Sequence, residues 1–381
     1  MKKIEKTRVL HILPDLMPYG LEKMVASLVL LADRNRFEPA VVSLYGRQEG
    51  SLAKAIEEAG VRVFHLDKRR GLDLRMFPRL REVCAEFRPD VLHTHNYVLR
   101  YTLPVAAWTR PGAQVHTIHN VADQEVDRLG MWLQNKAFHR GAVVPVAIAG
   151  EVAASMERVY GIRHPELIPN GIPVRAFADQ PGQREAWRAR EGFAPDDLLI
   201  ACVARFFPQK NHHTLLIAFA QLQDTNAKLL LAGDGYLESE VRAQAEQLGI
   251  ADRVHFLGRR DDVAAILASS DIVALASLWE GNPLSVMEAM AAGRACAMTA
   301  VGAIPELIED GRSGLIAPAG NAKALADAMR RLAEDASLRD RMGKAARQRA
   351  VRKFDHQVMV DAYQDLYLRA LANNRKQAVA A

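Results

Sequence analysis

The feature that most constrains the fold of this chain is the regular alternation of short apolar, β-branched runs with segments of helical periodicity. This alternation is typical of α/β proteins, in which each helix connects two parallel strands. The predicted strands fall into two sets, and they cover residues 8–13, 40–44, 61–66, 91–94, 114–118, 144–147, 198–204, 228–232, 254–257, 272–276, 295–299 and 315–317. The sequence therefore predicts an α/β protein with two parallel sheets.

The length of 381 residues also favours two domains, because a single hydrophobic core rarely serves more than about 250–300 residues. Between the two sets of strands, the turn-rich segment 169–173 and the loosely patterned stretch 175–197 predict a linker. We expect a first domain over residues 1–172 and a second over 173–354. A helix at about 355–372 carries an apolar stripe, so it requires a surface on which to dock.

Composition points to an ordinary globular protein that works in a reducing compartment. Apolar residues make up 49% of the chain and charged residues 25%. No apolar stretch is long enough to span a bilayer, and the first apolar run, residues 8–13, is too short for a secretory signal. Cys84, Cys202 and Cys296 form neither a disulfide framework nor a metal-binding spacing. These features predict a cytoplasmic protein.

The net charge of +5 is concentrated in part in one segment of the first half. Its cations are Lys68, Arg69, Arg70, Arg75, Arg79 and Arg81. A basic segment with apolar residues between the charges suits peripheral contact with an anionic membrane at its inner face, and it equally suits a solvated helix face. No nucleic-acid-binding motif accompanies it, so we do not expect a nucleic-acid partner.

Two carboxylates eight residues apart, Glu280 and Glu288, form the most informative local pattern. Asn282 suits an N-cap and Pro283 a first helical position, so a helix is predicted to begin between the two carboxylates. The helix is apolar nearly all round, which marks it as buried. A buried Glu288 needs a strong partner, either an internal arginine or a ligand with hydroxyl groups, unless its side chain extends to solvent.

Two cations follow the first predicted strand of the second domain. Arg205 lies at the end of that strand and Lys210 lies before the next helix. In doubly wound sheets, ligands bind at the carboxyl ends of strands, and Arg and Lys together suit a diphosphate. Taken one at a time, each is better explained as a solvated loop cation.

In the first domain, Gly20 lies between the first strand and the first helix, where a glycine allows close approach of backbone N–H groups to a ligand. Histidines cluster at two strand ends, His93 with His95 and His116 with His119. They are either core residues or site residues, and a His-Xaa-His pair needs further ligands to hold a metal. No Asp-Xaa-Asp pair is present to hold a magnesium-bound diphosphate. We therefore expect no metal and no cofactor.

In this order, these residues resemble the GT-B glycosyltransferases, and specifically the large retaining family 4. The resemblance extends from the Gly20 loop to the terminal helix, and it implies two Rossmann-like domains with parallel sheets that face each other across a cleft. The final helix would cross back to the first domain. One departure is Tyr19, because relatives usually carry a second glycine at that position.

The resemblance also implies roles for individual residues. Glu288 would bind the ribose hydroxyls of the donor nucleotide, and the loop around Gly258 would flank the base. Glu280 and His119 would act at the donor sugar. The remaining donor-binding groups would hold the diphosphate or approach the substrate through the backbone: Gly20, Arg205, Lys210, Asn282, Leu284 and Ser285.

The predicted activity is that of a retaining, metal-independent hexosyltransferase of class EC 2.4. By family resemblance it would move a sugar from a nucleotide-diphosphate donor, with UDP the expected nucleotide, to a glycan or lipid-linked acceptor of surface polysaccharide or lipopolysaccharide biosynthesis. Two alternatives stay open at this point, a non-hydrolysing nucleotide-sugar epimerase of the same fold and a catalytically silent nucleotide-sugar-binding protein. The sequence argues against a dinucleotide dehydrogenase, because no Gly-Xaa-Gly-Xaa-Xaa-Gly follows the first strand of either half.

Overall fold

The computed structural model describes residues 6–178, 182–223 and 225–380. The chain divides into two compact units. Unit 1 comprises residues 1–171 together with 356–381, and unit 2 comprises residues 172–355. Each unit contains one parallel sheet covered by helices, which is the Rossmann-like α/β architecture expected from the alternating pattern.

The described residues of unit 1 form seven strands and eight α-helices. The strands are β1 (Thr7–Leu13), β2 (Phe37–Ser43), β3 (Arg62–His65), β4 (Val91–His95), β5 (Ala113–Ile118), β6 (Val144–Ala147) and β7 (Glu166–Leu167). The helices are α1 (Gly20–Leu30), α2 (Ala53–Glu58), α3 (Met76–Phe87), α4 (Leu99–Thr109), α5 (Ala122–Glu125), α6 (Arg128–His139), α7 (Gly150–Tyr160) and, at the chain end, α16 (His356–Ala380). The sequence pattern did not predict β7, which is only two residues long.

Unit 2 contains six strands and the remaining helices. The strands are β8 (Leu198–Val203), β9 (Ala227–Ala232), β10 (Val254–Gly258), β11 (Ile272–Leu275), β12 (Ala295–Thr299) and β13 (Leu315–Ala317). The helices are α8 (Gln183–Glu191), α9 (His212–Ala220), α10 (Glu238–Gln247), α11 (Val263–Ser269), α12 (Leu284–Ala291), α13 (Ile304–Leu307), α14 (Ala322–Glu334) and α15 (Ala336–Lys353).

Both sheets have a point at which the strand order reverses direction. The order is β3-β2-β1-β4-β5-β6-β7 in unit 1 and β10-β9-β8-β11-β12-β13 in unit 2, and the strand pairs are parallel. The chain therefore leaves β1 and β4 toward opposite sides, and likewise β8 and β11. The loops that follow these strands diverge and leave a crevice at the carboxyl edge, where ligands bind in this class of fold.

The stretch 175–197 is not the loose linker that its composition predicted. It contains α8, whose Trp187 is buried and stacks on Phe193 at 5.8 Å between ring centroids. Arg188 is also buried and forms an ion pair with Asp271 at 2.8 Å. Turn-forming residues dominate the sequence pattern here, but burial of the tryptophan fixes the segment on unit 2. Residues 179–181 of the predicted linker lie outside the described residues.

Helix α16 docks on the face of the unit 1 sheet that also carries α1. Its buried stripe includes Val360, Tyr363, Leu366 and Tyr367, which join the core on that side of the sheet. Two polar contacts fix the docking. The hydroxyl of Tyr367 lies 2.7 Å from Nδ1 of His93, and the hydroxyl of Tyr363 lies 2.9 Å from Oγ1 of Thr117.

Among the described residues, no helix is long and apolar enough to cross a membrane.

The buried Tyr367–His93 contact leads to a stability prediction. The Tyr367→Phe variant leaves Nδ1 of His93 without this partner, so we expect the free energy of unfolding to fall by about 1–3 kcal/mol. Chemical denaturation measures the change. Tyr236→Phe serves as the control, since Tyr236 is 65% exposed and its hydroxyl needs no buried partner. Equal stability of the two variants would contradict the proposed importance of the contact.

Candidate functional site

The carboxyl edge of the unit 2 sheet brings together two residues that are 70 positions apart in sequence. Lys210 follows β8 and Glu280 follows β11, and Nζ of Lys210 lies 2.5 Å from Oε1 of Glu280. The Lys210 side chain is 16% exposed and that of Glu280 only 5%. A cation and a carboxylate in this setting are stable only as a pair with further hydrogen bonds. The pair lies where the strand order reverses, at the expected ligand position.

Two further side chains complete the surroundings of Glu280. Oγ of Ser277, which is fully buried, donates to Oε1 of Glu280 at 2.6 Å. Nε2 of Gln209 lies 3.3 Å from Oε2 of the same carboxylate. The main chain of Ser277 is fixed in turn, because Oγ1 of Thr299 donates a hydrogen bond to its carbonyl oxygen at 2.7 Å. The sequence patterns singled out neither Ser277 nor Gln209, since a serine or glutamine in a loop carries no distinguishing pattern.

Arg205 is exposed at the same edge, and two glycines fix the backbone around it. The positive φ angles of Gly233 and Gly235, 154° and 153°, are open only to glycine. A Cβ at Gly233 would lie 2.1 Å from the carbonyl oxygen of Ala204, and one at Gly235 would lie 2.5 Å from that of Phe206. The turn after β9 thus packs directly against the backbone that presents Arg205.

Helix α12 begins one residue later than its sequence predicts. Pro283 has an extended ψ of 114° and occupies the N-cap position, and the first helical residue is Leu284. The prediction of Asn282 as N-cap and Pro283 as first helical residue is therefore wrong, because Pro283 itself adopts the extended conformation of a cap. Asn282 is buried just before the helix, whereas Leu284 and Ser285 are partly exposed in its first turn.

Glu288 lies in the middle of α12 and is only 6% exposed. Its neighbours on both sides, Met287 and Ala289, are fully buried, as the apolar pattern predicted. At the other end of the same sheet edge, Gly258 closes β10 with a φ of 66° and is followed by the exposed Arg259. The carbonyl oxygen of Gly258 accepts a hydrogen bond from the N–H of Gly233 at 2.9 Å.

A cavity of about 460 Å³ opens beside this edge. Its walls come from the segment between β8 and α9, from the start of α9, from α10 and from Leu278, and they include Phe207, His213 and Val241. Neither Glu280 nor Glu288 lines it, so the cavity is not the candidate ligand site.

In unit 1, Gly20 is the first residue of α1, at the carboxyl edge where the order of the sheet reverses. Tyr19 occupies the N-cap position in an extended conformation, and its side chain makes no capping hydrogen bond. The first turn of this eleven-residue helix therefore keeps backbone N–H groups at the edge that a ligand would approach.

The histidines of β1, β4 and β5 lie on the two faces of the unit 1 sheet. His11, His93 and His95 are buried on the face that carries α16, because residues two apart on a strand point the same way. His116 points to the opposite face, where its ring contacts Oγ1 of Thr94 at 2.8 Å and Nε2 of Gln134 at 3.0 Å. Burial lowers the pKa of His11 and His116 to about 3, so these rings are neutral at physiological pH.

His119 follows β5 at the carboxyl edge and is half-buried. Its Nε2 lies 3.0 Å from Nδ1 of His95. Glu125 holds the main chain at this point, because its Oε2 accepts hydrogen bonds from the N–H groups of His119 and Asn120 at 2.7 and 3.0 Å. Burial raises the pKa of Glu125 to about 8. The sequence offered no signal for Glu125, which is one of several acidic residues in a polar loop.

Within the described part of the chain, His11, His93 and His95 come closest to a metal-binding arrangement, since one ring nitrogen from each lies within 4.8 Å of the others. Both nitrogens of His93 are already engaged, Nδ1 with Tyr367 at 2.7 Å and Nε2 with Thr117 at 2.8 Å. A metal ion would have to break one of these buried hydrogen bonds, and no carboxylate stands in the group to balance its charge. The cluster fits a hydrogen-bonded core better than a metal site.

Gly302 provides a test of how the Glu280 loop is held. Its φ is 53°, and a Cβ there would lie 1.9 Å from the carbonyl oxygen of Glu280. We expect Gly302→Ala to lower the melting temperature and displace Glu280. The control is Gly311→Ala, which has a φ of 74° but no atom within 4 Å, so it carries only the conformational cost of about 1–2 kcal/mol. Equal melting temperatures would contradict the steric argument.

Comparison with known proteins identifies the architecture. The model for glycosyl transferases group 1 matches residues 183–349, and the model for glycosyltransferase family 4 matches residues 18–175. Among solved structures, Anabaena Alr3699/HepE, in complex with UDP and glucose, superposes with a TM-score of 0.84 at 20% identity. The alignment covers 94% of this chain and 99% of that one. This likeness shows that the two Rossmann-like units have the GT-B fold.

Curated relatives match over most of their length. The N-acetyl-alpha-D-glucosaminyl L-malate synthase of Bacillus anthracis is 27% identical over 309 residues, which cover 80% of this chain and 81% of that protein. The UDP-Gal:alpha-D-GlcNAc-diphosphoundecaprenol alpha-1,3-galactosyltransferase of Escherichia coli is 24% identical over 387 residues, covering 97% and 98%. Between residues 18 and 349, the two family models together leave only residues 176–182 unmatched. The chain therefore belongs to the GT-B glycosyltransferases of the family 4, group 1 type.

Proposed function

We propose that the protein transfers a sugar from a UDP-sugar to a hydroxyl of a lipid-linked or glycan acceptor, with retention of anomeric configuration and without a metal ion. The observation that carries this proposal is the buried Lys210–Glu280 pair at the point where the order of the unit 2 sheet reverses. A lysine and a carboxylate at this edge match the two halves of a nucleotide sugar, one anionic and one rich in hydroxyl groups.

The diphosphate is the part of the donor that needs cations. Arg205 is exposed at the edge of the sheet, and Lys210 keeps two of its three N–H donors while it binds Glu280. Together with backbone N–H groups at the start of α12, around Asn282, Leu284 and Ser285, they would stabilise the charge that grows on the leaving diphosphate. These groups take the place of a metal ion, which supports metal independence.

The remaining contacts are assigned by the chemistry of the other parts of the donor, which are the ribose, the base and the sugar. Glu288, buried within α12, would accept hydrogen bonds from the ribose hydroxyls, and the Gly258 loop would flank the base. Glu280 and His119 would contact the donor sugar. Since Glu280 already binds Lys210, Ser277 and Gln209, it is a poor nucleophile. Attack on the same face as the leaving phosphate, with that phosphate taking the acceptor proton, is therefore favoured over a covalent intermediate.

UDP is proposed as the nucleotide because the related Anabaena structure holds UDP and glucose and the related Escherichia coli enzyme is named for a UDP-galactose donor. The acceptor of that enzyme is a diphosphoundecaprenol-linked sugar, which supports a lipid-linked acceptor and a place in surface polysaccharide or lipopolysaccharide assembly. An epimerase would instead interconvert the donor sugar without any acceptor. The family assignment favours transfer.

The donor site can be tested without knowledge of the acceptor. We expect UDP to raise the melting temperature of the wild type. At a UDP concentration one hundred times Kd, the free energy of unfolding should rise by about 2.7 kcal/mol. Glu288→Gln should lose this shift, since the amide accepts the ribose hydroxyls less strongly. Glu246→Gln, an exposed change on α10, should keep it. The shift should also persist in EDTA.

Other outcomes of this experiment are equally informative. A full UDP shift in Glu288→Gln would remove Glu288 from the site, and loss of the shift in EDTA would contradict metal independence. Stabilisation by GDP or ADP, and not by UDP, would show that the site binds guanine or adenine and not uracil.

We further propose that unit 1 touches an anionic membrane through the loop before α3. Leu72 and Leu74 are 61% and 66% exposed, and Arg69 and Arg70 are exposed beside them. Exposed leucines among arginines suit the boundary between headgroups and acyl chains. Lys68 does not belong to this surface. It is buried, and its Nζ binds the carbonyl oxygens of Arg69 and Gly71 at 2.9 and 2.6 Å, which shapes the loop.

Vesicle sedimentation tests this surface. We expect the wild type to bind vesicles that contain anionic phospholipid, and the double variant Leu72→Asp/Leu74→Asp to bind them at least tenfold less, because it removes apolar contact and adds repulsion. The control is Leu167→Asp, since Leu167 is 51% exposed but lies on the edge strand β7. Equal binding by the double variant and the control would contradict the proposed surface.

A further inference from the structure

Among the described residues, the ring of His119 has one hydrogen-bonding side-chain partner. Its Nε2 lies 3.0 Å from Nδ1 of His95, and the two ring centroids are 5.2 Å apart. His95 is fully buried, whereas His119 is half-buried at the edge of the sheet. Within residues 6–178, 182–223 and 225–380, no other side chain forms a hydrogen bond with the His119 ring. Its Nδ1 therefore remains for a ligand.

The protonation of this pair is restricted. Burial lowers the pKa of His119 to about 3 and that of His95 well below its usual range, so both rings are neutral at physiological pH. A neutral imidazole has one N–H and one lone pair. If His95 donates through Nδ1, His119 carries its proton on Nδ1 and presents a donor. If His119 donates through Nε2, it presents an acceptor. The contact with His95 thus decides what His119 offers to a ligand.

The surroundings hold both members of the pair in place. Glu125 fixes the main chain of His119 through two N–H groups, so the ring has little freedom except rotation about its own side-chain bonds. On the other side, His95 packs against His93 with 4.1 Å between ring centroids and stacks on His11 at 5.9 Å. His95 is therefore a rigid partner, whereas His119 is held mainly through it.

We propose that His95 is a positioning residue that sets the ring orientation and the tautomer of His119, and thereby the hydrogen bond that His119 makes with a hydroxyl of the donor sugar. This inference rests on the proposed function of His119. In this role, His95 is comparable to the outer partners that orient metal-bound histidines. Here the oriented ring would meet a sugar hydroxyl.

The test compares two variants of His95. Asn places an amide near the former Nδ1 and retains a hydrogen bond to His119, whereas Leu fills a similar volume without one. In protein labelled with ¹⁵N-histidine, we expect the wild type and His95→Asn to show a single neutral tautomer of His119 in long-range ¹H–¹⁵N spectra. His95→Leu should show exchange between both tautomers. The His119 signals are assigned by their loss in His119→Gln.

The matched control lies on the opposite face of the same sheet. His116 is also fully buried and hydrogen-bonded through both nitrogens, so His116→Leu should lower the melting temperature without changing the His119 spectrum. If His95→Leu leaves the His119 tautomer unchanged, or if the wild type already shows a mixture, the inference is overturned. If His95→Leu does not fold, His95→Asn decides: a mixture of His119 tautomers in that variant overturns the inference, and a single tautomer supports it.

Activity provides the second measurement. With UDP-glucose as probe and UDP release as readout, His95→Leu should lower kcat/KM by about 10-fold to 100-fold, the range typical of losing an outer partner, and His95→Asn should recover most of it. His116→Leu should not change kcat/KM. If His119→Gln has full activity, the proposed role of His119 fails. If His119→Gln is impaired but His95→Leu is not, only the inference about His95 fails.

Discussion

The parallel direction of the strands is the constraint on which the rest of this structure depends. Because the strands of each sheet run the same way, their carboxyl ends share one edge, and every loop that leaves that edge starts near the others. The sheets then reverse their order at β1/β4 and at β8/β11. The reversal separates the loops at one point and leaves space for a ligand there. The residues argued to act, His119 and the Lys210–Glu280 pair, are all carried by these edges.

Buried polar groups at the two edges show how the protein keeps such residues in place. Glu280 is only 5% exposed at its side chain, and it is stable there because Lys210, Ser277 and Gln209 all contact its carboxylate. In unit 1 the histidines avoid the cost of a buried charge in another way. Burial lowers the pKa of His93, His95, His116 and His119, so these rings remain neutral and form hydrogen bonds. The carboxyl edge of the unit 2 sheet therefore presents an ion pair whose charges balance, and that of the unit 1 sheet presents neutral imidazoles.

Backbone contacts add the precision that side chains alone do not give. The turn at Gly233 and Gly235 packs against the main chain on either side of Arg205, and Gly302 packs against the carbonyl oxygen of Glu280. Each contact is open only to glycine, since a Cβ would overlap with the neighbouring backbone. The loops that bear the charged residues are thus fixed to adjacent loops of the same edge rather than left to move independently.

The sequence by itself determined the α/β class, the two parallel sheets, the buried helix around Glu288 and the position of two cations directly after β8, because each follows from local periodicity or from residues close in the chain. It did not predict helix α8 within residues 175–197, where burial of Trp187 outweighs the turn-forming neighbours. The partners of the site residues also came only from the tertiary structure. Ser277 beside Glu280, Glu125 at the backbone of His119 and His95 at its ring carry no sequence signal of their own. Contacts such as His95 with His119 and Lys210 with Glu280 depend on the order in which strands pair, and that order is a property of the whole sheet.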